Sequence, residues 1–204
     1  MDLERLVREG LRFFSISHDL KAVDKLSLYV RELDRWNARI NLTGLKQPER
    51  IIKELLYDAF FLCTRLKGIE SLLDLGSGSG ILGIPVKILN ERIAVFSVDK
   101  SMKKIQFQRH MKRAVPLKEF YPIHGRAEAL EPVGVEALVA KGFGAIDRIL
   151  ETGGGHIKSG GLALILKAKQ DQPLEHAGFA LGEMSPYSLP ENDREYKLFV
   201  YRKE

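Results

Sequence analysis

The sequence predicts an α/β protein in which a doubly wound, mostly parallel sheet ends in an antiparallel hairpin and is preceded by helices. Three observations carry this. Apolar residues recur at helical spacing through the first third of the chain, and from Ser71 they give way to short apolar runs separated by helical stretches. The first of those runs, Leu72-Leu73-Asp74-Leu75, leads straight into Gly76-Ser77-Gly78-Ser79-Gly80. The tail holds two candidate strands joined by Pro190-Glu191-Asn192-Asp193-Arg194, the pattern of a hairpin.

In chain order, Leu3, Leu6, Val7, Leu11 and Phe14 line one helix face, and Val23, Leu26, Val30 and Leu33 line a second. Ser17 is placed to cap that second helix. Pro48 suits the first turn of a third, whose stripe is Ile51, Ile52, Leu55, Leu56 and Ala59. With no flexible linker after them, residues 1–66 are expected to pack as a helical cap on a core of residues 67–204, in one structural unit. Strands are expected at residues 71–75, 94–98, 120–123, 135–139 and 161–166, with helices near 82–89, 103–114 and 145–150. Such alternation implies parallel strands joined by right-handed crossovers. Residues 183–189 and 196–201 form the closing hairpin.

A chain of 204 residues, 45% hydrophobic and 29% charged, is long enough for one substantial core. No apolar run approaches the roughly 18 residues of a membrane span, and the start lacks the features of a signal peptide. The lone Cys63 leaves no intramolecular disulfide and no Cys-based metal site. A cytoplasmic location, no membrane partner, no metal and a monomeric state are the resulting expectations. The net charge of +5 is unevenly spread: seven Lys or Arg and no Asp or Glu fall between Lys100 and Lys118. That local positive field favours contact with nucleic acid over a merely solvated helix face. Lys103, Lys104, Arg109, Lys112 and Arg113 are the candidate RNA contacts, the side chains of Lys103 and Lys104 being expected to point away from any cofactor pocket.

Three glycines at alternate positions after a buried strand give a turn that can take positive φ and expose bare backbone to a ligand. A helix opening near Ile81 offers N–H groups to an anion. This reads best as a site for S-adenosylmethionine, with the carboxylate of its methionine moiety on the loop. Asp74 would accept from its amino group, and Gly76, Gly78 and Gly80 would shape the loop. A dinucleotide site is the competing reading, since Gly78-Ser79-Gly80-Ile81-Leu82-Gly83 satisfies that pattern too. Asp99, at the end of the second strand, would take ribose hydroxyls in either case. Against the dinucleotide, Gly76 and Ser77 intervene after the strand, and no second substrate domain fits. Gly125-Arg126-Ala127-Glu128, after the third strand, is placed for an adenine contact.

Several of these pieces resemble one family. Trp36-Asn37-Ala38-Arg39-Ile40-Asn41-Leu42-Thr43 resembles the tryptophan–asparagine…asparagine–leucine–threonine signature of the bacterial RsmG (GidB) proteins. Residues 76–85 resemble their cofactor loop, including its glycine–x–proline. Asp99 with Lys103, Lys104 and Phe107 fits their second-strand region, and residues 125–128 and the paired glycines before the fifth strand fit as well.

The resemblance implies a Rossmann-like class I S-adenosylmethionine-dependent methyltransferase acting on guanine N7, at position 527, in 16S small-subunit ribosomal RNA. The RNA or the whole small subunit is then the partner. It implies cofactor contacts at Gly76, Ile81, Asp99, Lys100, Ser101, Ala127 and Glu128. The family's arginine after the fourth strand is Lys141 here, which keeps the charge and loses the bidentate geometry. Lys141 is thus a cofactor-binding and catalytic candidate. Lys167, matching a family lysine, is the other catalytic candidate, both being best used on guanine O6 or on phosphates. Leu56 stands where the family tends to have a histidine.

Asn37, Asn41 and Thr43 are read as holders of the adjoining turn in preference to RNA contacts. Guanine N7 presents a lone pair without a proton, so the chemistry needs no general base, and the sequence shows no acid–base dyad. Three other functions compete: methyl transfer to another RNA or a small molecule, an RNA-binding module with an inactive cofactor site, and a nicotinamide-dependent oxidoreductase. Intact Asp74, Gly76, Gly78, Gly80 and Asp99 speak against the second.

Overall fold

The computed structural model describes residues 2–168 and 170–204. Helices α1 (Leu3–Phe13) and α2 (Leu20–Ile40) come first, each with an aspartate cap: Asp2 accepts from Arg5 N, and Asp19 accepts from Ala22 N. Asp19 thus takes the capping place that the sequence suggested for Ser17. A carboxylate at this position both accepts the hydrogen bond and opposes the positive helix end. The third helical segment has three parts. These are a short helix α3 (Pro48–Ile51), a π-helical turn at Ile52–Leu56 that the apolar spacing did not reveal, and helix α4 (Tyr57–Cys63). Tyr57 reaches back to α1, donating to Leu6 O at 2.9 Å. Its ring fills the space beside Gly10, where any added Cβ would collide with it.

Strands β1 (Ser71–Leu75), β2 (Ala94–Asp99), β3 (Phe120–His124), β4 (Val135–Lys141) and β5 (Ile157–Ala168) run parallel. Helices α5 (Gly83–Leu89), α6 (Met102–Ala114) and α7 (Ile146–Gly153) lie between them. β6 (Phe179–Leu189) and β7 (Asn192–Lys203) pair antiparallel, and β7 inserts against β5, giving the order β3-β2-β1-β4-β5-β7-β6. The hairpin turn is tighter than the sequence indicated. Leu189 pairs with Asn192, so only Pro190 and Glu191 turn, and Glu191 takes φ 53°. β5 also begins four residues early, across a register shift in its pairing with β4. The early start rests on the single pair of buried Ile157 with Val135, and the irregular stretch after it interrupts the apolar run, so a rule based on such runs misses it.

Alternation along each strand divides the core. Leu72, Ala137, Val139, Leu164 and Leu166 pack beneath α1, α2, α4, α5 and α6, while Leu73, Leu75, Leu138, Ala140, Ala163 and Ile165 pack beneath α7. The N-terminal helices therefore share one core with the sheet. The strand order reverses between β1 and β4, and at such a switch point the carboxyl ends of the strands open a crevice.

Candidate active site

Three chain segments converge on that crevice. β1 feeds the glycine loop, with Gly76, Gly78 and Gly80 at φ 66°, 59° and 75°. β2 ends at Asp99, and β4 runs into Gly142-Phe143-Gly144. Between them lies a cleft of about 370 Å3 whose wall includes Gly76, Val98, Asp99, Lys100, Ser101, Ala127 and Glu128. Six residues read from the sequence thus share one wall: Gly76, Asp99, Lys100, Ser101, Ala127 and Glu128. A roomier recess at residues 173–181 and Glu204 sits at the far hairpin edge, remote from the glycine loop.

The loop is braced from within. Gly78 N donates to Asp99 Oδ2 at 2.9 Å, Ser77 N to Val98 O at 3.0 Å and Gly80 N to Ser77 O at 2.9 Å. Asp99 Oδ1 accepts from Ser101 N at 2.7 Å, so one carboxylate ties the loop to the start of α6. Gln108, fully buried, donates to Ser77 Oγ at 2.8 Å and Gly78 O at 2.7 Å. The sequence reading missed Gln108. Its signal was its helical spacing, one turn after Lys104 on the inward face of a basic helix.

Several expected placements differ. Asp74 does not line the cleft. Period-two alternation puts it on the α5 face with Leu72, where Oδ2 accepts from Gly83 N at 2.9 Å. Burial pushes its carboxyl up to about 7, the Gly83 N–H opposes that, and the Asp99 charge adds to it. The same bond uses the N–H that opens α5, so that helix start is not a free anion cradle. Ile81 packs on the core and also lies outside the cleft wall, as do Gly78 and Gly80.

The basic run does not form one surface, because successive helical residues are about 100° apart. Lys104 lines the cleft, its Nζ standing 3.8 Å from where a Gly78 Cβ would lie, which corrects the expectation that it points away. Lys112 lies over the Tyr121 ring at 5.3 Å. Arg109 and Arg113 face solvent, and Lys103 faces a groove beside Asn41 and Lys46.

Lys141 and Lys167 are not aimed into the cleft. Lys141 Nζ donates to Glu54 O at 3.0 Å, on the π-helical turn, and pairs with the buried Asp58 carboxylate, whose other oxygen accepts from Tyr187 OH at 2.6 Å. Lys167 Nζ donates to Gly144 O at 2.8 Å and pairs with Asp171 at 3.1 Å. Leu56 is buried. Burial pushes the thiol of the free Cys63 up to about 12, which disfavours the thiolate.

The 36–43 segment is used structurally. Asn37 Oδ1 accepts from Leu42 N at 2.6 Å and Thr43 N at 3.0 Å, and Asn41 closes α2 at φ 46° while accepting from Gly44 N at 3.1 Å. Trp36 packs edge-on against Phe107 at 5.5 Å, joining α2 to α6.

The cleft suits S-adenosylmethionine by the chemistry of its wall. A Cβ at Gly142 would meet nothing within 4 Å, so this stretch of backbone lies open. The wall offers the Lys104 cation beside the glycine loop for a carboxylate, the Asp99 carboxylate for hydroxyls, and apolar Val98 and Ala127 for a flat ring. Among the described residues no group of His, Cys, Asp or Glu could hold a metal ion, and no helix is long and apolar enough to cross a membrane.

Known proteins agree with this geometry. The family described as rRNA small subunit methyltransferase G (GidB) matches residues 22–179. A ribosomal RNA small subunit methyltransferase G from Syntrophotalea carbinolica is 29% identical over 214 residues, covering 99% of this chain and 99% of its own. Its namesake from Xanthomonas campestris pv. campestris is 30% identical over 207 residues, covering 100% of this chain and 96% of its own. Among solved structures, a SAM-dependent methyltransferase from Aquifex aeolicus superposes with a TM-score of 0.59 at 15% identity, over 79% of this chain and 97% of that one. The fold is thus the Rossmann-like one of class I methyltransferases.

Proposed function

The chain belongs to the GidB family of small-subunit ribosomal RNA methyltransferases, and from that premise we propose that it moves a methyl group from S-adenosylmethionine to guanine N7 at position 527 of 16S ribosomal RNA. The observation that carries this reading is the coincidence of the family match with the tripartite cleft wall at the sheet's switch point. Bound there, the cofactor supplies a methyl group activated by its sulfonium. Residues 67–204 form the catalytic core and residues 1–66 its cap. Asp99 takes the ribose hydroxyls with lone pairs left over from its two backbone bonds, Lys104 takes the carboxylate, and Ala127 and Glu128 border the adenine.

Guanine N7 attacks with its own lone pair, so the site needs no proton acceptor. Among the described residues, the carboxyl pushed up to about 7 is that of Asp74, which is turned beneath the loop and away from the cleft. Methylation leaves positive charge on the purine, and a cation pressed on N7 would oppose it. Asp58 and Asp171 draw Lys141 and Lys167 aside. Rate enhancement then comes from positioning and exclusion of water, effects worth up to about 7–11 kcal/mol in the best intramolecular cases. Lys103, Arg109 and Arg113 hold RNA phosphates. The protein works as a cytoplasmic monomer on the small subunit.

The test combines purified protein, tritiated cofactor and unmethylated small subunits, with product mapped by borohydride–aniline cleavage at 7-methylguanine. Cleavage at guanine 527 is expected. Label on protein, or on RNA without that cleavage, refutes the substrate.

A further inference from the structure

The loop between β4 and α7 carries an aromatic ring to which the mechanism above gives no role. Gly142 (φ 66°) and Gly144 (φ 142°) flank Phe143 in backbone regions that side-chain-bearing residues rarely adopt. No neighbour crowds Gly142, so the turn itself requires glycine there. This turn lays the Phe143 ring on the bare Cα of Gly76, where an added Cβ would collide with it. The ring is half-buried and lines the cleft, with the Arg148 guanidinium 6.0 Å from its centroid.

Both ends of this loop are tied by lysines. Lys141, at the end of β4, is anchored to Asp58 and Glu54 O, and Tyr187 holds Asp58 from the hairpin side. Lys167 reaches over from β5 to Gly144 O. Two glycines alone would leave the segment free to wander; the two tethers define where the ring sits. The ring thus stands on the cleft wall against the start of the glycine loop, partly open to solvent.

We propose that Phe143 is the residue on which the target purine stacks, aligned for in-line attack, with Lys141 and Lys167 as positioning residues that act through the loop. The proposal rests on the methyl-transfer reading given above. An aromatic face carries negative quadrupole density and attracts a cation. The purine becomes cationic as the methyl group transfers, so the stack strengthens toward the transition state, and its loss falls on kcat more than on KM.

The test compares Phe143→Ala, Phe143→Leu and Phe143→Tyr on unmethylated small subunits with tritiated cofactor. S-adenosylhomocysteine affinity is measured by calorimetry and folding by thermal melting. Phe143→Ala and Phe143→Leu are expected to lower kcat on the order of ten- to a hundredfold, the worth of one base–aromatic stack, with cofactor affinity held within about threefold. Phe143→Tyr keeps the ring and stays near the parent. Lys167→Gln is expected to lose rate by a smaller factor, which Lys167→Arg restores. A fully active Phe143→Leu protein, or cofactor affinity falling in step with rate, overturns the proposal while methyl transfer by the parent protein stands. A parent protein that labels no RNA overturns the functional reading and the proposal together.

Discussion

Two glycine loops meet at the carboxyl edge of the sheet, and they are held in opposite ways. The loop after β1 is braced by its own N–H groups, by Asp99 and Asp74, and by Gln108 from beneath. The loop after β4 keeps its glycines exposed and is pinned at its two ends by long cationic side chains. Short bonds made close to the loop give a rigid cradle, suited to a cofactor of one shape. Lysine tethers fix only the two ends of the second loop, an arrangement that under the proposed function suits a base delivered on a large RNA. The two loops should therefore fail differently when their supports are removed.

The largest effect is expected from Asp58→Ala. It removes the counter-ion of half-buried Lys141, which keeps only its bond to Glu54 O, and takes the acceptor from Tyr187 OH. Breaking one side of such a pair costs about 3–5 kcal/mol, readable by urea unfolding. Methylation should fall while S-adenosylhomocysteine affinity stays close to that of the parent. Equal loss of both would mean that the two loops are one mechanical unit.

A smaller, pH-dependent effect should mark the first loop. The Asp74 carboxyl titrates at about 7 in the folded protein against an ordinary 3.8. The folded state therefore keeps its proton longer than the unfolded state does. That contribution to stability is full below about pH 4, declines as pH rises through 7, and is gone above it. Asp74→Asn still offers an oxygen to Gly83 N, carries no buried charge, and should stabilise the protein at pH 8 by about 2 kcal/mol. This is less than three pKa units at 1.36 kcal/mol each, because the new amide hydrogens need partners. Unfolding midpoints at pH 5 and pH 8 check it: parent and variant should differ at pH 8 and converge at pH 5. An equal difference at both would remove Asp74 as the titrating group.

The smallest effects separate two neighbouring lysines. Lys103→Glu should reduce the salt slope of RNA binding by about one unit and leave cofactor affinity unchanged. Lys104→Glu should weaken S-adenosylhomocysteine binding, since its ammonium stands at the glycine loop. Calorimetry and filter binding at several salt concentrations distinguish them, and matching behaviour of the two variants would contradict their placement on different helix faces.

Much of the architecture was legible in the chain. Strand and helix alternation, the glycine turn and the closing hairpin all depend on periods of two or 3.6 residues and on local φ preferences, which a sequence displays directly. Gly76 and Asp99 were legible because they follow or end strands, Ala127 and Glu128 because they follow the third strand in order, while Lys100 and Ser101 came from the family resemblance alone. The π-helical turn was not, since its apolar spacing differs little from that of an ordinary helix. Gln108 was passed over because a neutral residue in a basic helix shows no pattern of its own.

By itself the sequence determined the doubly wound sheet, the loop that turns at Gly76, Gly78 and Gly80, and the acid that closes β2. Tertiary structure alone decided what the charged side chains do. Lys141 reaches Asp58 across 83 residues of chain, and Tyr187 reaches the same carboxylate across 129. No local period records such pairings, and a buried carboxylate captures whichever cation packing brings within reach. So two lysines that looked catalytic bond Asp58 and Gly144 O at the two ends of the Phe143 loop, and one that looked like an RNA contact lines the cleft.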